Sequence, residues 1–120
     1  MARTAITPVV APGAYLGETQ AANSLDVVFT AADVANGNKV VATGKDLLLV
    51  LNSHATLAKT FTVTSFPDAQ GRTAHIGPYT LQAGEYACVG PIPVAGWMQT
   101  DGNIYIDGES ADIKFLVVRL

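Results

Sequence analysis

The tightest constraint on this chain is residues 59–66 (KTFTVTSF), where side chains of two kinds alternate with period two. Phe61, Val63 and Ser65 fall on one face, and Thr60, Thr62 and Thr64 on the other. A helix turns successive side chains through about 100°, whereas a strand sends them to opposite faces, so this spacing is a strand. The same short grain runs through most of the chain. Strands are expected at residues 25–30, 39–43, 46–52, 76–81, 85–89, 103–107 and 113–120. Gly44-Lys45, Gln82-Ala-Gly-Glu85 and the turn around Gly108 separate several of them. Pro78 has no N–H for a ladder, which assigns 76–81 to an edge. Two prolines make 91–97 (PIPVAGW) an irregular crossing. In the last strand both alternating sets are largely apolar, as expected of a strand covered on both sides.

No amphipathic helical pattern survives beyond one turn. A single short helical turn is expected over residues 31–36, with Thr30 and Asp33 in a capping pattern and Gly37 as its stop. Seven or eight short strands punctuated by turns indicate an all-β domain, a β-sandwich or small barrel of jelly-roll or Greek-key type. The expected division is an extended N-terminal arm, residues 1–24, and a β-domain, residues 25–120. Pro8 and Pro12 force extended backbone before them. Ile6, Val9, Val10, Tyr15 and Leu16 make the arm too apolar to hang in water. It must lie on its own domain or on a neighbour. These five side chains are the candidate partner-binding residues, with a docking site on another subunit expected and the globule beginning near Ser24.

Composition narrows the function. Charged residues make up 14% of the chain, against about 25% in an ordinary globular protein. The net charge is −3, so clustered Lys and Arg for phosphate neutralisation are missing and nucleic-acid or anionic-membrane binding is disfavoured. The longest apolar runs, 47–51 and 115–118, fall far short of the ~20 residues of a membrane helix. The N-terminus reads poorly as a signal peptide, and synthesis in a reducing cytoplasm is expected. A surface this poor in charge, with a threonine stripe at Thr60, Thr62 and Thr64, is expected to be partly covered by sister subunits.

Catalytic chemistry finds little support. Cys88 with His75 is formally a nucleophile–base pair, but a lone cysteine in a strand reads better as a small core residue. Ser53-His54 reads as a turn. Asp101, Asp107, Glu109 and Asp112 fall within twelve residues, a grouping that loops use for calcium, yet Asp-Gly is also a standard turn dipeptide. Trp97 and Tyr79 lie near loops and are the aromatic candidates for a carbohydrate platform. No catalytic set, cofactor or metal is assigned.

The stretches 29–38 (FTAADVANGN), 67–73 (PDAQGRT), 96–106 (GWMQTDGNIYI) and 110–120 (SADIKFLVVRL) resemble small β-rich structural proteins of tailed bacteriophages. The resemblance implies a virion component of the capsid decoration, or cement, type. It implies a position on the capsid exterior, the major capsid protein as partner, and self-association, preferentially as a trimer. The alternative is a carbohydrate- or receptor-binding β-sandwich of a tail fibre or secreted protein.

Overall fold

The computed structural model describes residues 2–10 and 27–120. The described residues form ten strands: β1 Thr4–Ala5, β2 Val9–Val10, β3 Thr30–Ala31, β4 Asn38–Val41, β5 Asp46–Asn52, β6 Lys59–Thr64, β7 Ile76–Leu81, β8 Tyr86–Ile92, β9 Asn103–Gly108 and β10 Ile113–Arg119. They build two five-stranded sheets. One has the order β1-β4-β9-β6-β7; the other runs β2-β10-β5-β8, with β3 pairing β10. The sheets are mixed, because β1 on β4 and β2 on β10 are parallel while the other pairs are antiparallel. The fold is an all-β sandwich.

Period-two burial sets the core between the sheets. Leu48 and Val50 of β5, Phe61 and Val63 of β6, Ile104 and Ile106 of β9, and Ile113, Phe115 and Val117 of β10 point inward. Burying each such side chain is worth about 1.5–3 kcal/mol. β10 is flanked by β5 on one side and by β2 and β3 on the other, and carries Leu116 on its second face at 3% exposure. It is the doubly covered strand its composition called for. β7 is an edge strand, as Pro78 required.

The buried polar side chains of the sandwich strands are satisfied, whereas Asn36 Oδ1, in the turn before β4, is buried without a partner. Asp46, at 1% exposure, accepts from Arg119 Nε at 3.0 Å and Thr43 Oγ1 at 2.9 Å. Asn52 donates to the Leu57 and Leu81 carbonyls at 3.0 and 2.9 Å and accepts from the His54 N–H at 3.0 Å. Such partners offset the cost of taking polar atoms out of water.

The expected helical turn is displaced. Thr30 and Ala31 pair with Phe115 and Lys114 in β3 rather than starting a turn. The turn runs from Asp33 to Gly37, whose N–H donates to the Asp33 carbonyl at 2.7 Å. Asp33, not Thr30, is the cap, its carboxylate accepting from the Asn36 N–H at 3.1 Å. Gly37 has a φ of 78°, and a Cβ there would collide with the Arg3 guanidinium.

The N-terminal segment departs most from the sequence reading. Residues 2–10 are built into the sandwich and cross from one sheet to the other. Thr4 and Ala5 pair with Asn38 and Lys39 of the first sheet; Val9 and Val10 pair with Val118 and Arg119 of the second. Between them Ile6 enters the core at 3% exposure. Arg3 donates to Asp107 at 2.9 Å and lies over the Tyr105 ring, 4.1 Å from its centroid. Residues 2–10 therefore pair with strands of the expected 25–120 domain. Their extended backbone, required by Pro8, lets single residues reach both sheet edges. The expected 24/25 boundary itself lies outside the described residues.

Candidate interaction surface

The two outer faces of the sandwich differ in chemistry. On the first sheet, the alternate residues of β6 and β9 facing outward are Thr62, Thr64, Tyr105 and Asp107, with Lys39 beside them on β4. This face is polar and internally hydrogen-bonded: Tyr105 donates to Asp101 at 2.8 Å, and Thr60 Oγ1 donates to Glu109 at 2.8 Å. On the second sheet the outward residues of β5 are Leu47, Leu49 and Leu51. Register sets them beside Val118, Leu116 and Lys114 of β10. On the other flank Leu49 and Leu51 lie beside Cys88 and Tyr86 of β8. Apart from Lys114 the described residues of this face carry no charge. The three leucines are half-buried and Tyr86 is exposed, its ring 6.2 Å from Phe29.

Three leucines on the outside of a sheet were missed by the sequence reading. The signal was present in β5, DLLLVLN, which is apolar on both faces just as β10 is. A strand apolar on both faces signals burial on both. The threonine stripe expected to be covered by sister subunits is real, but it lies on the polar sheet.

Two further features sit where the sheets part. Among the described residues β7 and β8 are the outermost strands of opposite sheets, and between them a groove of about 240 Å³ is lined by Phe61, Ile76, Tyr79, Tyr86, Cys88 and neighbours. Tyr79 is exposed and its ring rests 5.7 Å from Phe61. At the loop end a broader cleft of about 500 Å³ lies between residues 68–74 and Trp97. Trp97 is half-buried against the core, so it anchors this loop region and also lines the cleft. Asp68 organises the loop by accepting from the Arg72 and Gln70 N–H groups at 2.9 Å and from Arg72 Nε at 2.8 Å. These bonds, the Arg72 N–H first, lower its carboxyl below the usual aspartate range.

The titratable candidates are dispersed. Cys88 is exposed, which overturns the expectation of a core cysteine. Parity is the reason: the inward positions of β8 go to Ala87 and Val89, so Tyr86 and Cys88 face out. His75 is occupied elsewhere, its Nδ1 accepting from the Ser65 N–H at 2.9 Å. Ser65 Oγ lies 3.5 Å from that same nitrogen and accepts from the Ala74 N–H at 2.9 Å. A serine–histidine contact across ten residues was not legible in the sequence. It is poor catalytic geometry, because Nδ1 already accepts a backbone proton and is not free to take one from the hydroxyl. Ser53 and His54 form a turn: Ser53 Oγ donates to the Asp112 carbonyl, and His54 Nδ1 accepts from the Thr56 and Leu57 N–H groups.

The four acidic residues near the C-terminus are not brought together as a metal set. Asp101 accepts from Tyr105 and from the Asn103 N–H, Asp107 from Arg3, Glu109 from Thr60, and Asp112 from Ser110. The Tyr105 hydroxyl lowers the Asp101 pKa, and the Thr60 hydroxyl and N–H lower that of Glu109. Among the described residues no group of three or more His, Cys, Asp or Glu is placed to hold a metal ion.

Of the arm residues, Ile6 is in the core and thus closed to an outside partner while it is seated there. Val9 is half-buried, and Val10 is 69% exposed. Tyr15 and Leu16 lie outside the described residues. Comparison with protein-family models, curated proteins and solved structures finds no match to this chain.

Proposed function

We propose that this chain is a non-enzymatic structural subunit that works by being bound, and that its assembly is a bacteriophage head on which it acts as a decoration protein. The observation that carries the reading is the apolar outer face of the second sheet, where Leu47, Leu49 and Leu51 stay half-buried and Lys114 is the one charge among the described residues. A monomer gains nothing from leucines on a sheet exterior. A subunit packed against its copies gains about 25 cal/mol for each Å² of apolar surface removed from water. The polar first sheet then suits the solvent side. The low charge content and the resemblance to phage structural proteins point the same way. The expected partners are further copies of itself, in a trimer matching the three-fold positions of an icosahedral lattice, and the major capsid protein.

The test is co-expression with the major capsid protein encoded in the same genome, followed by sedimentation of the heads. Co-sedimentation in a fixed ratio to capsid protein is expected. Heads that form and leave this chain in the supernatant would overturn the proposal. A second reading, a carbohydrate-binding module, draws on the cleft beside Trp97, where an aromatic ring lies near Asp68, Gln70 and Arg72. Saturable glycan binding abolished by Trp97→Ala would favour it over the decoration role.

A further inference from the structure

We infer that residues 2–10 are an exchangeable strap, seated in the sandwich of a second copy when subunits associate. This rests on the reading of the chain as a homo-oligomer. The strap binds a slot made by the edges of two sheets: β4 receives Thr4 and Ala5, β10 receives Val9 and Val10, and Ile6 fills the core between them. Its hold is local, two residues of pairing at each end. Every one of these contacts is the same whichever chain supplies the strap, which is the condition for domain exchange.

The connection to the rest of the chain is far longer than seating in its own slot requires. Val9 is opposite Val118 and Thr30 opposite Phe115, on the same side of β10. Those anchor points are three residues apart on one strand, about 10 Å. Residues 11–29 join them, with a full stretch on the order of 65 Å. That exceeds the longest dimension of the molecule, 48 Å. The slot also adjoins the surface proposed for self-association. Val118, the partner of Val9, lies on the leucine face, and the strap leaves the slot through Val10, with Leu120 exposed at the adjacent chain end. Packing two copies through this face brings the slot of each near the strap of the other.

The experiment uses full-length chains carrying Cys88→Ala, so that the native thiol does not interfere. One chain carries Ala5→Cys and the other Lys39→Cys; these positions are register partners in the β1–β4 pair. Neighbouring strands lie about 4.8 Å apart, within the Cα range of a disulfide. Neither chain alone can close this bond internally. The two are mixed in denaturant, refolded together and oxidised. A two-chain product, well above that of a control in which Gln70→Cys replaces Lys39→Cys, is expected. The doubly substituted chain reports the seating in parallel. If it closes only within itself and the mixed sample yields no two-chain product, exchange is refuted. Light scattering of that sample separates the two ideas: oligomers without the cross-link refute only the exchange, and a monomer refutes the homo-oligomer as well. Val9→Cys with Val118→Cys repeats the test on the second sheet should the first pair fail to fold.

Discussion

Replacing Ile6 with alanine tests whether the first ten residues belong to the fold. Ile6 is 3% exposed and sits among the core side chains, between two strands that pair with different sheets. The substitution removes three carbons from a buried site, a transfer loss of about 2.4 kcal/mol at ~0.8 kcal/mol per carbon. The cavity left behind adds to this, since packed surroundings relax only in part. Large-to-small changes at such sites cost about 2–5 kcal/mol in all. A loss of about 3 kcal/mol, within that range, is expected. With a urea m-value of roughly 1.5 kcal/mol/M for a domain of this size, the unfolding midpoint falls by about 2 M. The assay is urea denaturation followed by circular dichroism at one fixed protein concentration, with Val10→Ala as the exposed control. The control is expected to stay within about 0.5 kcal/mol of the parent. An Ile6→Ala variant as stable as the control would refute the argument. It would restore a globule that begins beyond the N-terminal segment.

Arg119→Ala leaves the buried Asp46 carboxylate without its cation and is expected to cost about 3 kcal/mol. Adding Asp46→Asn should recover part of that loss, as a double-mutant cycle in urea would register. Leu49→Glu places a charge at the centre of the leucine face without touching the core; light scattering should show dissociation to monomers, with an unchanged circular dichroism spectrum. Cys88 is exposed, so a thiol reagent should modify it rapidly in the dissociated protein and slowly in the assembled one. Asp33, Asp68, Asp101 and Glu109 all have pKa values lowered by the hydrogen bonds they accept. A carboxylate depressed in the folded state contributes stability that is present above its unfolded pKa and lost as pH falls through the folded one. Melting temperature should therefore hold above about pH 5 and drop below about pH 4. Asp33→Asn should flatten that drop, because the Thr4 hydroxyl is the largest cause of its shift.

Much of the architecture is local and was legible residue by residue. Alternation placed Phe61 and Val63 inward and the threonines of β6 outward, and the bounds of β5 and β7 follow from their flanking turns. Pro78 assigned β7 to an edge because a residue without an N–H cannot serve a central ladder. The apolar character of both faces of β10 announced a central strand. These features depend on steric preferences and parity within a few residues, which the sequence carries directly.

Pairing across the chain decided the rest. Arg3 meets Asp107 across 104 positions, and nothing in the spacing of either residue points to the other. The capping role moved from Thr30 to Asp33 because Thr30 found a partner in Phe115, more than eighty residues later. Cys88 came out rather than in because the β5–β8 ladder, with its register shift between Asp46 and Leu48, gave the inward positions to Ala87 and Val89. A strand's alternation says that its two faces differ, but not which faces the core when both are small or apolar. Only the second sheet, closing over the first, makes that choice. The same holds for the N-terminal segment. Its composition demanded that it lie against something, and only the gap left between β4 and β10 made its own sandwich the place where Ile6 is buried.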